Sequence, residues 1–521
     1  MNGRDTVNGG ATRHGRDRRA RVVPGPTGAA RVSGEARNVA VIGGGIAGLA
    51  AATALAERGV EVTLYERDDQ LGGRLAGWST ELADGSTVTM SRGFHAFFRQ
   101  YYNLRGLLRR ADPALSMLWG LPDYPLRHSG GLQDSFARVP RTPPWSALGF
   151  VALSPTFGWR DLTRMSPRSA LPLLDVRVPD VYRRFDHISA WDLLERIRFP
   201  QAAHHLAFEV FSRSFFADPR QLSAAELALM FHIYFLGSSE GLLFDVPREP
   251  FPAALWEPLA RYLAGHRADI RTGQGVESIE PVRQGGFHVV TRDGHKRHDA
   301  VVLALDIKGL QQVVEQSPML VDRDWRARIM SLRTAPPFLV SRLWLDRRPA
   351  PERPGFLGTS GYGSLDNVSV LERWENEAAA WSARTGGSVI ELHAYAVHPG
   401  ADRAAEQRDL WAQLHRVYPE IRDAKIVDAR HEWRADCPLF PVGGYRDRPA
   451  VRTSDPAVTL AGDIVRSDLP VALMERAATT GFLAANALLE RWGVAGQTLW
   501  TVPDKGRTMV LRAFNQLAGT R

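Results

Sequence analysis

Two stretches carry residue types that could do chemistry. In SRGFHAFFRQYYN, residues 91 to 103, five of thirteen residues are Phe or Tyr and one is His, in a chain that is 9% aromatic. Ring faces around one imidazole suit a flat or conjugated partner, because the rings offer dispersion and a negative quadrupole while the His can exchange a proton near neutral pH. The second stretch is GGGIAGLAAATALAERG, residues 43 to 59, in which Gly43, Gly45 and Gly48 give G-x-G-x-x-G. There the first Gly permits a tight turn, the second lets backbone N–H groups approach a pyrophosphate, and the third lets a helix pack closely on a strand.

The elements that must position these residues are legible around them. VAVI (39–42) has the unbroken apolar pattern of a strand buried on both faces, the Ala-rich run after Gly45 is a helix with Ile46 and Ala47 in its first turn, and EVTLYE (61–66) is a second strand ending on an acid. Glu66 stands eighteen residues beyond Gly48, where a carboxylate accepts hydrogen bonds from ribose hydroxyls, with Arg67 beside it. Strand, glycine turn, helix, second strand and acid in register predict a dinucleotide site.

RDDQLGGRLAG follows at once, and its Gly72, Gly73 and Arg74 resemble the second fingerprint of flavoproteins with a glutathione-reductase-like FAD domain. VTLAGDIVRSDLP (458–470) places Gly462 and Asp463 after a strand and before a helix from about 472 to 489 that begins near Met474. The resemblance implies that Gly462 and Asp463 approach the pyrophosphate and ribitol of FAD, with the helix N-terminus aimed at the cofactor. Residues 273 to 306 alternate as hairpin strands, then give the buried run VVLAL, and Val276 is expected to meet the adenine as its counterpart does in similar folds. No second G-x-G-x-x-G is present, so a separate NAD(P)H domain is not expected and the reduced flavin needs an external acceptor such as a quinone, oxygen or a carrier protein.

The fold class implied is α/β, a glutathione-reductase-like Rossmann FAD domain with an inserted α+β substrate domain. The expected organisation is a basic disordered tail over 1–36, an FAD domain split over 37–103, 265–310 and 450–490, a membrane-associating substrate domain over 104–264 and 311–449, and a C-terminal extension over 491–521. The tail carries seven Arg against three acids, half of the net +8, and too little apolar surface to offset the entropy of ordering. Elsewhere the charges interleave, so nucleic acid is not an expected partner, whereas an anionic membrane surface is. A single cysteine, Cys437, forbids an intrachain disulfide and agrees with a cytoplasmic location. No uninterrupted run reaches the length of a membrane span, and two shorter greasy stretches, 147–159 and 227–237, read as core or as an entrance dipping into lipid. Rival chemistries fail on spacing: there is no G-x-S-x-G, no H-E-x-x-H, and His204, His205 and Glu209 lack an evident further metal ligand, so no metal is expected.

The aromatic stretch resembles the G-L-H-x-F-F-G-x-Y-x-N segment of plant-type carotene desaturases through Gly93, His95, Phe97, Phe98, Tyr101 and Asn103, departing at Ser91, Arg92 and Arg99. SRGFHAFF, DSFARVPRTPP (134–144), AFEVFSRSFFADP (207–219) and MFHIYFLGSSEGLLFDVP (230–247) are more closely similar to the bacterial carotenoid φ-ring (isorenieratene) synthases. That resemblance covers residues 38 to about 515. It implies conversion of a carotene β-ionone ring to an aromatic ring, with hydride loss to flavin, a 1,2-methyl shift and proton loss. For such a cation the rings of Phe94, Phe97, Phe98, Tyr101 and Tyr102 are candidate stabilisers. His95 is the first candidate for the proton, followed by His232 and Glu240. A desaturase or isomerase that leaves rings untouched, an amine or protoporphyrinogen oxidase, and a flavin-carrying escort protein are the alternatives.

Overall fold

The computed structural model describes residues 17–207 and 215–507. Strand Asn38–Ile42 is the centre of a five-stranded parallel sheet in the order 269–271, 61–65, 38–42, 300–303, 458–460. Helix Ile46–Ala56 follows the glycine turn and is buried along its whole length, which its small side chains allow. Alanines here let helix Leu473–Arg491 lie against it so closely that a Cβ on Gly481 would stand 2.2 Å from the Ala47 carbonyl oxygen. The hairpin strands Val276–Pro281, Phe287–Thr291 and Gly294–His298 form a separate antiparallel sheet whose turns fall where the glycines place them.

The inserted residues build one seven-stranded sheet in the order 426–434, 338–345, 388–394, 367–370, 356–360, 126–128, 133–134. Its last two strands come from the first insert and the other five from the second, so the two inserts share a layer. The greasy run at 227–237 is buried core: helix Ala224–Phe231 continues into a wider π turn over His232–Leu236. The run at 147–159 behaves differently. Helix Trp145–Leu153 buries Ser146 and Phe150 while Trp145, Leu148 and Leu153 stay exposed. Among the described residues no helix is long and apolar enough to cross a membrane.

The expected disordered tail is corrected from residue 17 onward. Arg21–Val23 pairs antiparallel with Leu499–Thr501, and Asp17 is buried, accepting two hydrogen bonds from the Arg507 guanidinium and one, at 2.7 Å, from the Ser239 N–H. Polar chain can be ordered without an apolar face when a free strand edge and a desolvated ion pair receive it. Residues 1–16 and 508–521, with the remainder of the expected tail and C-terminal extension, lie outside the described residues.

Candidate active site

The glycine turn and the second fingerprint dock on each other. Gly43 has a φ of +107°, and a Cβ there would meet the Ala304 carbonyl oxygen at 2.4 Å; one on Gly48 would meet the Gly43 oxygen at 1.9 Å. The Gly72 N–H donates to the Gly44 carbonyl at 2.9 Å, and Gly45 lies against Gly73 so tightly that a Cβ on Gly73 would be 3.3 Å from the Gly45 Cα. No side chain caps helix Ile46–Ala56 and no acid sits in its first turn, so its N–H groups are available to an anion. Glu66 accepts from the Gly44 N–H at 2.7 Å and the Asp68 N–H at 2.9 Å, and burial nevertheless pushes its carboxyl above the ordinary value. Across the turn Arg74 donates to Asp463 at 2.7 Å. A cradle without side chains, donors at a helix start and a fixed carboxylate at the end of the second strand fit a dinucleotide of the FAD type.

A cavity of about 570 Å³ runs from this cradle into the inserted domain. Every cofactor residue expected from sequence borders it except Gly48, whose place is between helix and strand: Gly43, Gly45, Ile46, Ala47, Glu66, Arg67, Gly72, Gly73, Arg74, Val276, Gly462, Asp463 and Met474 all line it. The far half is walled by rings. Phe94 stacks on Phe356 with centroids 4.3 Å apart, Tyr124 lies 4.8 Å from Phe356, and Phe98 lies 4.6 Å from Tyr234. Of the five aromatic candidates, Phe94, Phe98 and Tyr101 face the cavity, whereas Phe97 and Tyr102 are packed in the core. Helix Tyr102–Leu108, which ends the aromatic stretch, is bolted to helix Leu473–Arg491: Glu475 accepts from the N–H groups of Asn103 at 2.8 Å and Leu104 at 2.9 Å.

His95 lines the cavity and bonds the Gly93 carbonyl through Nδ1 at 2.9 Å. A carbonyl can only accept, so the ring hydrogen is on Nδ1 and Nε2 keeps its lone pair. Burial lowers this imidazole to about 4, which keeps it neutral in ordinary conditions. The other two proton candidates do not reach the cavity. His232 bonds the Pro503 carbonyl at 2.7 Å inside the π turn, and Glu240 receives the Tyr102 hydroxyl and the Asp17 N–H, each at 3.3 Å, beside the docked tail. Each bond joins the body to a segment distant in sequence. His205 and Glu209 of the metal-like trio fall where no side chain is described; among the described residues no three His, Cys, Asp or Glu side chains could hold a metal ion.

Sequence reasoning missed a second polar group on the cavity wall: Asn367, His393 and Tyr395, with Glu391 and Arg342 behind them. The available signal was the run SVIELHAYA, where Glu391 and His393 interrupt a buried strand at a spacing of two, which puts them on one face.

Residues 46–489 match the family model described as flavin containing amine oxidoreductase. A carotenoid phi-ring synthase of Streptomyces griseus is 74% identical over 506 residues, covering 97% of this chain and 98% of that one. A carotenoid phi-ring synthase of Chlorobaculum tepidum is 28% identical, covering 90% of this chain and 91% of its own. Among solved structures, a putrescine oxidase triple mutant with redesigned cofactor binding superposes with a TM-score of 0.65 at 16% identity, over 87% of this chain and 99% of that one.

Proposed function

The chain belongs to the flavin-containing amine oxidoreductases and, within them, to the carotenoid phi-ring synthases, and from that premise we propose how its own residues convert a carotene ring. It is an FAD-dependent oxidoreductase that turns the β-ionone ring of a carotene such as β-carotene into an aromatic φ-type ring by desaturation with 1,2-methyl migration. The observation that carries the reading is the continuity of one cavity from the dinucleotide cradle to a box of aromatic rings. Bound FAD supplies the two-electron acceptor for hydride loss.

The chain's residues do the rest. Gly43, Gly45, Gly72 and Gly73 would bring backbone to the pyrophosphate and Glu66 would receive the ribose hydroxyls, and the Arg74–Asp463 pair borders the same cavity. A carbon that bears two methyls cannot become aromatic until one migrates, so a cationic ring must survive long enough to rearrange. Phe94, Phe98, Tyr101 and the rings packed on them stabilise positive charge through their faces and contain no strong nucleophile to trap it. His95 offers Nε2 to a departing proton.

Incubating the holoenzyme with β-carotene in lipid and a quinone acceptor is expected to yield a product of lower mass with an aryl-type, blue-shifted spectrum. An unchanged β-carotene spectrum alongside desaturation of phytoene or zeta-carotene would overturn the ring reading.

The substrate lives in lipid, and helix Trp145–Leu153 suits an approach to it. Its inner face backs the cavity wall: Phe150 stacks on Phe136 at 4.8 Å and meets Phe235 at 5.6 Å, and both partners line the cavity. Its outer side exposes Trp145 (62%), Leu148 (56%) and Leu153 (55%), with Arg138 and Arg141 exposed just before it. This is the composition of a segment that rests in a headgroup layer, apolar groups inward and Arg on phosphates. Each large apolar side chain transferred to lipid contributes about 1.5–3 kcal/mol. Trp145→Ser with Leu148→Ser is therefore expected to weaken flotation with anionic vesicles tenfold or more while FAD content is unchanged; equal flotation would place the membrane contact elsewhere or nowhere.

A further inference from the structure

The polar group on the cavity wall forms an ordered series. Glu391 is wholly buried on strand Ser388–Ala394, opposite Arg342 of the neighbouring strand, whose Nε and Nη2 donate to Oε2 at 3.0 and 2.8 Å. Its Oε1 lies 2.7 Å from the Phe94 N–H and 2.8 Å from His393 Nε2. Burial alone would raise this carboxyl, but Arg342 and His393 hold it down to about 2. A carboxylate can only accept, so the imidazole hydrogen is on Nε2 and the lone pair is on Nδ1. The Tyr395 hydroxyl, 2.8 Å from Nδ1, is then the donor. The phenol oxygen also accepts from Asn367 Nδ2 at 3.0 Å, which leaves it one lone pair.

Three observations tie this series to the reacting ring rather than to packing alone. His393, Tyr395 and Asn367 border the cavity together with Phe94 and His95. The His393 ring lies against Gly93 so closely that a Cβ there would be 2.4 Å from Cε1. Asn367 is 4% exposed and its Oδ1 has no partner among the described residues, a polar atom left over at the wall of a site that must accept a cationic ring. Carboxylate, imidazole and hydroxyl in sequence let the hydroxyl oxygen take a new bond while its own hydrogen moves to an imidazole whose positive charge is compensated from behind.

Making an arene from a cyclohexene ring removes two hydrides and two protons, so two proton transfers must be served. Resting on the ring-aromatising reading, we propose that Tyr395 is a catalytic proton acceptor for the substrate ring, with His393 and Glu391 as positioning residues behind it. In that step a ring C–H bond breaks and its electron pair enters the ring. The hydrogen bonds to the Tyr395 oxygen as the phenolic hydrogen passes to His393 Nδ1, and the imidazolium is held between Tyr395 and the Glu391 carboxylate. Each of the two hydrides would leave to FAD, which takes one at a time and is reoxidised between them by an external acceptor such as a quinone; the proton transfer itself needs no oxidant. His95 is hydrogen-bonded to the Gly93 carbonyl and not to a carboxylate, and burial outweighs the pull of Glu391 on its charged form.

The test uses FAD-loaded full-length parent, Tyr395→Phe and His393→Ala with β-carotene in lipid, in an assay where the parent forms the aryl product, so that a failed ring reading is recognised first. Tyr395→Phe keeps the ring and removes only the hydroxyl. It is expected to keep its FAD content and a KM within about twofold of the parent while kcat falls about a hundredfold. His393→Ala is expected to regain turnover with added imidazoles in proportion to their basicity rather than their size. Parental kcat in Tyr395→Phe, or rescue of His393→Ala that ignores basicity, would overturn the proposal.

Discussion

Gly48→Ala is expected to yield a folded but colourless protein, with less than about a tenth of the parental FAD after purification. The methyl would sit 1.9 Å from the Gly43 carbonyl oxygen, 3.1 Å from its carbonyl carbon and 3.3 Å from a Val41 methyl. The first two are backbone atoms of the turn, so no side chain can swing aside, and overpacking of this kind costs about 1–3 kcal/mol or more. Relieving the strain would lift helix Ile46–Ala56 off strand Asn38–Ile42, moving the N–H groups of its first turn away from the pyrophosphate position and loosening its contact with helix Leu473–Arg491. Gly265→Ala is the control, since a Cβ there meets nothing within 4 Å. Flavin absorbance per chain after denaturation measures the outcome, with circular dichroism to show that the fold survives. Full flavin content in Gly48→Ala would mean that the turn does not hold the cofactor in the way described.

The cradle was legible in sequence because its turn glycines Gly43 and Gly48 are required by backbone geometry. A glycine needed for close approach has no substitute, and the spacing from Gly43 to Glu66 is set by one strand, one helix and one strand. The aromatic stretch was legible in composition but only partly in direction. Phe94, Phe98 and Tyr101 reach the cavity while Phe97 and Tyr102 do not, because Phe97–Phe98 forms a short strand and Tyr102 opens a helix, so neither a period of two nor one of 3.6 spans the stretch. Residues drawn together across the sheet were the least legible. Arg342 and Glu391 lie 49 positions apart and meet through strand register, and Gly93 meets His393 across 300 residues of sequence. His232 and Glu240 stand away from the cavity for the converse reason. Their types suit proton transfer, but His232 bonds the segment 499–507 and Glu240 the segment 17–23, contacts across more than 200 residues that no local pattern announces.

Glu226→Gln is expected to destabilise the protein by about 3–5 kcal/mol at neutral pH, the range found when one partner of a buried ion pair is removed. Glu226, on helix Ala224–Phe231, is 1% exposed and lies between two guanidiniums, accepting from Arg448 at 2.6 Å and Arg476 at 2.8 Å, with the Tyr182 hydroxyl at 3.0 Å. The two arginines also donate to the chain that carries Gly462 and Asp463: Arg448 to the Ile464 carbonyl at 2.9 Å, and Arg476 to the Val471 carbonyl at 2.9 Å. The amide of Gln keeps the shape but turns one acceptor into a donor facing a cation and leaves two buried positive charges uncompensated. Urea unfolding at pH 7 measures the loss. Its pH dependence carries a second signature. Burial would raise this carboxyl, yet Arg476 and Arg448 together hold it below its ordinary value. A depressed carboxylate contributes stability that is complete above the unfolded value of about 4.3 and is lost as the pH falls through the folded value. The parent therefore loses stability in acid more steeply than Glu226→Gln, and the two curves converge at low pH. A variant of equal stability at pH 7 would refute the charge account. Because the same arginines hold the segment 462–476, FAD affinity is expected to fall with stability, whereas replacing all three residues by apolar ones of similar volume should recover stability without recovering affinity.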